Sequence, residues 1–248
     1  MINSPLEQFS VLPVLPFRLG FIDLSLTNST IYCLLTALTL MLISSLNMHR
    51  GGLLVPSRYQ VVFESVYDFV VSLANEQLGQ RAQRYCAIVL STFLYILTAN
   101  LLGLIPFSFA TTAQLIVAFG LSFSLFFGVT LIGILKHGLH FLSFFLPSGA
   151  PLALAPLLVV IELISYVFRP ISLGVRLFAN MTAGHSLLAI IAGFGWSIGS
   201  SASLAVLAII PLVVIVVIFG LELAVAFLQA YVFGVLLCIY LKDAIELH

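Results

Sequence analysis

Five apolar stretches, each long enough to cross a bilayer, constrain this chain more than any other feature. A transmembrane helix needs roughly 18–20 apolar residues, and 62% of the 248 residues are hydrophobic whereas only 7% are charged. The short alternating segments of a membrane β-barrel are missing from the sequence. We therefore predict an all-α polytopic membrane protein. The stretches cover residues 30–48, 86–106, 112–135, 152–194 and 203–241.

These stretches divide a single membrane domain, residues 1–248, into parts. Between the first two spans, apolar residues recur at three- and four-residue steps from Tyr59 to Leu73, which predicts an amphipathic helix at the membrane interface. Ser57 is its predicted N-cap and Gly79 its predicted stop. The parts are an N-terminal segment (1–29), a first span (30–48), the interfacial helix (54–79), a transmembrane hairpin (86–135) and two long, steeply tilted helices (152–194 and 203–241).

The two last runs are about twice as long as one perpendicular crossing needs at ~1.5 Å per residue. Each run predicts either a helical hairpin or one oblique helix. A hairpin needs a turn near its midpoint, and neither Pro170 nor Pro211 is followed by a polar loop. We favour two oblique helices, kinked at these prolines and joined by a short turn at residues 195–200.

The basic residues outside the spans predict the orientation of the chain. Arg18 alone lies on the side of the N-terminus, and six basic residues lie on the other side, so the N-terminus is predicted outside and the C-terminus inside. These six are Arg50, Arg58, Arg81, Arg84, Lys136 and Lys242.

Arg176 lies deep inside the run 152–194, although a guanidinium stays protonated and needs a counter-ion or water there. Glu162 and Arg169 precede it at steps of seven, so the three residues share one helical stripe. Arg176 is too far from either end of the run to snorkel, whereas Arg169 beside Pro170 also fits a role in binding freed carbonyls. The residues around Arg176 on its face are small or carry an amide, which lets a neighbouring helix approach: Ser172, Ala179, Asn180 and Ala183.

Three further polar residues in the long runs suggest a proton relay. His185 lies nine residues after Arg176, and the second long helix carries Glu222 and Gln229, seven residues apart. If the two helices are antiparallel, these groups lie side by side, and each can pass a proton or hold a water molecule. The alternatives are that His185 is a satisfied core histidine and that Glu162 and Glu222 are neutral buried acids. Asn100 is interpreted as a packing residue at a helix end, and the alternative is a role near an outer water entrance.

The string from Arg169 to His185, RPISLGVRLFANMTAGH, closely resembles the core helix of subunit a of the F-type ATP synthase. Residues 99–106, 221–233 and 240–248 support the resemblance, which covers nearly the whole chain. A histidine at 185 paired with a glutamate at 222 resembles the mitochondrial form. The opening residues 4–9, SPLEQF, are similar to fungal mitochondrial members.

The resemblance implies a proton-translocating stator subunit with two offset half-channels that meet the carboxylates of a rotor. Arg176 would face the rotor carboxylate, Glu162 would serve the outlet, and the inlet would use Asn180, His185, Glu222 and Gln229. The implied partners are the c-ring, the peripheral-stalk subunit b, other small membrane-sector subunits and lipid, in a complex that forms dimers, without nucleic acid. The implied location is the mitochondrial inner membrane, with the N-terminus in the intermembrane space and the C-terminus in the matrix.

Other classes of function fit the sequence less well. There is no GxxxxGK[ST] loop, so nucleotide chemistry would belong to partners and the chain would have no catalytic site of its own. A haem-bearing respiratory subunit would want paired transmembrane histidines, and only His185 is deep in a span. A secondary cation/proton antiporter would be expected to show two repeated halves with interrupted helices. We predict no cofactor and no metal, and we interpret Cys33, Cys86 and Cys238 as packing residues.

Overall fold

The computed structural model describes residues 7–16, 18–19, 22–23, 25–49, 58–105, 108–138, 141, 155–200 and 205–245. Six α-helices hold most of these residues, and the prediction of an all-α polytopic membrane protein is confirmed. The helices are α1 (Asn28–His49), α2 (Arg58–Leu78), α3 (Ala82–Gly103), α4 (Leu115–His137), α5 (Ala155–Gly199) and α6 (Ile209–Ile245).

Four short strands precede α1: β1 (Pro13–Leu15), β2 (Arg18–Leu19), β3 (Ile22–Asp23) and β4 (Leu26–Thr27). Strand β1 pairs antiparallel with β4, and β2 pairs antiparallel with β3. Asn28, the first residue of α1, holds residues 10–12 by side-chain hydrogen bonds. Its Oδ1 accepts a hydrogen bond from the Leu12 amide at 3.2 Å, and its Nδ2 donates to the Ser10 carbonyl at 3.0 Å. The sequence reasoning did not predict these strands.

Helices α1, α3, α4, α5 and α6 are each long and apolar enough to cross a membrane. Helix α2 is amphipathic instead, because it buries Val70 and Ala74 while Glu64 and Asp68 stay exposed. Gly79 follows α2 with a φ of 57°, a left-handed conformation that glycine adopts without strain and that ends a helix. The predicted N-cap Ser57 and the predicted helix start at residue 54 lie outside the described residues.

The two long apolar runs each form one continuous helix. Helix α5 runs through Pro170 for 45 residues and ends at Gly199, so the turn predicted to begin at residue 195 lies inside it. Glycine and serine lower helix propensity only modestly, and the Ser197 hydroxyl bonds the Phe194 carbonyl at 3.0 Å within the helix. Pro211 is the third residue of α6, where a missing amide is tolerated, so it does not interrupt the helix midway.

The chain forms two compact units, and helices α3, α5 and α6 contribute to both. The first unit comprises the described residues of Met1–His49, Leu94–Gln114 and Leu177–Ala230. In its core, Met181 of α5 and Ala226 of α6 pack with three residues at and after the end of α3: Leu104, Ala110 and Ala113. Phe9 and Leu101 cover this cluster from its edge. The N-terminal segment therefore packs directly on the helices of this unit.

The second unit comprises the described residues of Arg50–Phe93, Leu115–Arg176 and Tyr231–His248. Phe69 of α2 contacts the rings of Phe93 and Tyr231, with ring centroids 6.0 and 5.9 Å away. Gly174 of α5 lies so close to α4 that a Cβ added to it would be 2.8 Å from the Ser122 hydroxyl oxygen. Glycine at this position therefore permits the close approach of α4 and α5.

Candidate functional site

Two groups of polar side chains lie on the apolar helices, one in each compact unit. The His185 cluster, in the first unit, consists of Asn180 and His185 on α5 with Glu222 and Gln229 on α6. Asn180 and Gln229 join the two helices directly, because the Asn180 Nδ2 donates a hydrogen bond to the Gln229 Oε1 at 2.9 Å. The structure thus places all four residues that the sequence assigned to an inlet in the first unit, and it joins two of them directly.

Glu222 packs against the backbone of α5 at Gly184. A Cβ added to Gly184 would lie 2.6 Å from the Glu222 Oε1, so the glycine leaves room for the carboxyl group in the position that it occupies. The Glu222 side chain is buried, with 7% exposure, and neither of its oxygens has a hydrogen-bonding partner among the described residues. Because His185 follows Gly184 directly, the carboxyl group and the imidazole belong to one small region of the unit.

Unpartnered buried polar atoms recur through the His185 cluster. The His185 Nε2 and the Gln229 Nε2 are buried without a hydrogen-bonding partner among the described residues, as are both Glu222 oxygens. Buried polar groups in proteins are almost always hydrogen-bonded to protein or water. These atoms are therefore suited to hold ordered water between α5 and α6, and water between titratable groups conducts protons.

Two other buried polar residues of the first unit were undervalued or missed by the sequence reasoning. Asn100 of α3 is fully buried, its Nδ2 donates to the Ala226 carbonyl at 3.4 Å, and its Oδ1 has no partner among the described residues. The hydroxyl of Thr112, just before α4, is likewise buried and unpartnered. Asn100 was interpreted mainly as a helix-end packing residue, with a role near an outer water entrance as the alternative. Thr112 gave no sequence signal, since a lone threonine in an apolar stretch is common.

The Arg169 cluster, in the second unit, consists of Glu162 and Arg169 on α5 and Asp243 on α6. Arg169 lies 2.9 Å from Asp243 (Nη1 to Oδ2) and 3.6 Å from Glu162 (Nη2 to Oε1). Its guanidinium carbon is also 5.7 Å from the ring centre of Tyr166 and 5.4 Å from that of Tyr240. Arg169 is therefore held by ion pairs and aromatic rings, rather than by carbonyls freed at Pro170.

Asp243 was missed by the sequence reasoning because it follows the predicted end of the last apolar run at residue 241. Helix α6 continues to Ile245 and carries Asp243 back against α5. Lys136 and His137 at the end of α4 both bond the Ile245 carbonyl, each at 3.1 Å, and so hold the last turn of α6 in place. Asp243 could have been identified from its position, because a helix can continue a few residues past the end of an apolar run.

Arg176 differs from Arg169 although both lie on α5. Its side chain is exposed, and no carboxylate of the described residues lies within 4.0 Å of its guanidinium. The residues predicted to share its face are exposed as well: Ser172, Ala179, Asn180 and Ala183. A charged residue inside a bilayer costs several kcal/mol unless a counter-ion or water compensates it. Glu162 and Arg176 belong to the second unit, whereas the His185 cluster belongs to the first.

Five apolar helices with buried acid, imidazole and amide groups define a class of protein: a polytopic membrane protein that exchanges protons inside the bilayer. The sequence profile of the family described as ATP synthase A chain matches residues 29–242. The chain belongs to this family. Its members form the proton channel in the membrane sector of ATP synthase and work there with partners such as the c-ring.

Individual relatives agree with the family match over the full chain. The ATP synthase subunit a of Oenothera berteroana is 50% identical over 253 residues, which cover 99% of this chain and 90% of the relative. That of Marchantia polymorpha is 49% identical and covered completely, as is this chain. That of the fungus Mycosarcoma maydis is 48% identical, over 100% of this chain and 99% of the relative. The predicted resemblance to subunit a is thereby confirmed.

Proposed function

We propose that this chain is the proton-translocating stator subunit of a rotary motor, with two offset half-channels that lead to and from the c-ring carboxylates and are separated by Arg176. The observation that carries the proposal is the contrast between two arginines on α5. Arg169 is paired with Asp243 and Glu162, whereas Arg176 is exposed and no described carboxylate reaches it. Because a guanidinium in a bilayer needs a counter-ion or water, and no described carboxylate reaches Arg176, we assign its counter-ion to a rotor carboxylate of the c-ring.

The His185 cluster serves the inlet in this proposal. Its support is the set of buried polar atoms without partners on His185, Glu222 and Gln229, which can hold water between two otherwise apolar helices. Asn180, joined to Gln229 at 2.9 Å, lies one helical turn after Arg176 in the chain of α5. In this proposal, a proton that enters through His185 and Glu222 is passed on to the rotor carboxylate.

Glu162 serves the outlet. Its distance of 3.6 Å from Arg169 is longer than that of Asp243 at 2.9 Å, so Glu162 is the less tightly held of the two acids. Its side chain is 33% exposed, which leaves the carboxyl group open to water. An acid that is partly engaged and partly exposed can accept a proton from the rotor and release it to the aqueous phase.

Electrostatics explain why a fixed arginine separates the two paths. A carboxylate about 4 Å from a guanidinium is attracted by about 4 kcal/mol at an effective dielectric constant of 20, before desolvation is subtracted. This attraction favours the ionised form of the rotor acid, so the acid gives up its proton on reaching Arg176. The same positive charge repels a hydronium ion and blocks a direct leak between the half-channels.

The finer assignments of location and assembly also belong to the proposal. The pairing of a histidine at 185 with a glutamate at 222 supports the mitochondrial inner membrane. The excess of basic residues in the loops that follow α1 and α4 supports an N-terminus in the intermembrane space and a C-terminus in the matrix. The exposed faces of the five membrane helices leave room for subunit b, small membrane-sector subunits, lipid and a second complex in a dimer.

The test is Arg176→Lys and Arg176→Ala in the assembled ATP synthase, reconstituted into vesicles with an imposed proton gradient. Both variants are expected to lose proton-driven ATP synthesis, because a lysine can give up its proton and an alanine carries no charge. Arg58→Ala is the matched control, since Arg58 is an exposed arginine at the start of the interfacial helix. ATP synthesis that persists in either Arg176 variant would reject the proposal.

A further inference from the structure

Phe9, in the N-terminal segment before the first membrane helix, contacts the ring of His185. The two ring centroids are 6.3 Å apart and the ring planes are perpendicular, an edge-to-face arrangement that aromatic pairs favour. Phe9 is half-buried and also packs against the apolar core cluster of the first unit. The imidazole is thus in contact with a residue that lies 176 positions earlier in the chain.

Two polar anchors fix Phe9 in this position. Gln114, just before α4, donates a hydrogen bond from its Nε2 to the Phe9 carbonyl at 2.8 Å. The residues that follow Phe9 are held by Asn28, whose side chain bonds the backbone of Ser10 and Leu12. The Ser10 amide and hydroxyl both bond the Glu7 carbonyl, at 3.1 and 2.8 Å, and close a tight turn that contains Phe9.

The fixed position of the Phe9 ring bears on the orientation of the His185 imidazole. The His185 Nε2 is buried without a hydrogen-bonding partner among the described residues, so no hydrogen bond there fixes the ring. A proton relay nevertheless needs its groups in a defined orientation, because proton transfer requires hydrogen-bond reach of about 2.6–3.2 Å, directly or through one water molecule. Packing against Phe9 supplies this orientation through contact alone.

We propose that Phe9 is a positioning residue for proton entry, whose ring orients the His185 imidazole and shields it from the bulk aqueous phase. Gln114 is its anchor. The described part of the N-terminal segment is then a wall of the inlet, and protons reach His185 along the polar path between α5 and α6. This inference rests on the proposed role of His185 in the inlet, and the two can fail separately.

The first experiment measures shielding without relying on activity. The intact complex is treated with diethyl pyrocarbonate, which acylates accessible imidazole nitrogens, and the rate of modification at His185 is followed by mass spectrometry. Phe9→Ala is expected to raise this rate by at least about fivefold, because the aromatic contact that covers the imidazole is removed. Phe9→Tyr keeps the ring and is expected to keep the wild-type rate.

Two further variants complete the labelling experiment. Gln114→Glu has nearly the same shape but lacks the amide donor, so it is expected to raise the rate in the same direction as Phe9→Ala. Val11→Ala is the matched control, since Val11 lies two residues from Phe9 with 47% of its surface exposed. An unchanged rate in Phe9→Ala, or an equal increase in Val11→Ala, would overturn the inference.

The second experiment measures proton-driven ATP synthesis in the same variants at equal amounts of assembled complex. Phe9→Ala is expected to lower the rate of ATP synthesis severalfold, whereas Phe9→Tyr is expected to keep the wild-type rate. Undiminished synthesis in Phe9→Ala would show that the ring does not position the relay. His185→Ala tests the underlying role separately: if it retains synthesis, the inlet assignment fails whatever the labelling experiment shows.

Discussion

At the scale of single residues, two arginines of the apolar helix α5 differ in how the cost of burying their charge is met. Desolvating a charge costs several kcal/mol. For Arg169 two carboxylates and the faces of Tyr166 and Tyr240 offset this cost within the chain. For Arg176 no acid among the described residues offsets it, which leaves water or the carboxylate of a partner for this role. An internally paired Arg176 would have been a structural residue, and an unpaired one points to binding.

A second residue-scale contact leads to a prediction about Gly184. In Gly184→Ala the new Cβ would lie 2.6 Å from the Glu222 Oε1, and the end of a flexible side chain can move aside. The protein should therefore fold and assemble, but with the Glu222 carboxyl group displaced. If the displacement raises the barrier to proton transfer by about 1.4 kcal/mol, proton-driven ATP synthesis falls about tenfold.

The control for this prediction is Gly193→Ala on the same helix, where an added Cβ meets no atom within 4 Å. ATP synthesis in reconstituted vesicles is compared with ATP hydrolysis by the detached catalytic sector, which should be unchanged in both variants. Equal synthesis rates for the two variants would contradict the role assigned to the contact between Gly184 and Glu222.

At the scale of elements, the length of α5 dominates. Its 45 residues extend about 67 Å at ~1.5 Å per residue, more than twice the ~30 Å thickness of the hydrocarbon layer. A single apolar helix of this length fits within a bilayer only if it is steeply inclined. An inclined helix keeps a long face at mid-membrane depth, and this face carries Arg176 together with small exposed residues. Such a face would suit contact with a ring of helices that moves past it, as the proposed function requires.

The packing of α4 on α5 gives an element-scale prediction. In Gly174→Ala the added Cβ would lie 2.8 Å from the Ser122 Oγ and 3.3 Å from the Phe119 Cα. Because backbone cannot move aside as a side chain tip can, the two helices must separate. The variant should be destabilised by about 1–3 kcal/mol, as is typical of overpacking.

The measurement for this prediction is the thermal unfolding midpoint of the detergent-solubilised complex, followed by loss of assembled subunit. Gly120→Ala on α4 is the control, since an added Cβ there meets no atom within 4 Å and alanine favours a helix over glycine. A midpoint for Gly174→Ala equal to that of the wild type would show that α4 and α5 do not depend on this approach.

At the scale of the whole molecule, the number of membrane helices decides the topology. Five described helices are long and apolar enough to span, and helix α2 is amphipathic. An odd number of crossings puts the two ends of the chain on opposite sides of the membrane. From the distribution of basic residues we predict that the C-terminal end lies inside.

This topology is testable by cysteine labelling. In a variant without Cys33, Cys86 and Cys238, we expect Leu12→Cys and Lys242→Cys to react with a membrane-impermeant maleimide from opposite faces. Leu12 has 61% of its surface exposed and Lys242 is exposed, so both positions are open to the reagent. Labelling of both cysteines from one face in sealed vesicles would contradict five crossings.

Several features follow from the sequence because they depend on local chemistry alone. Apolar length predicts the membrane helices, and three- and four-residue spacing predicts the amphipathic α2. Arg176 could be singled out because a guanidinium keeps its charge wherever it lies. The end of α5 could not be predicted, since glycine and serine at 195–199 are compatible with both turn and helix. Asp243 was missed because the apolar run ends two residues before the acid.

The sequence by itself determined that this chain spans a membrane with helices and carries fixed charge and titratable groups within them, because hydropathy and ionisation are properties of the residues. Only the tertiary structure decided which charges compensate one another. Arg169 finds Asp243 across 74 positions of chain, Glu222 fits against Gly184, and Phe9 lies on His185. These pairings depend on how the helices pack, and distance along the chain carries no information about distance in space.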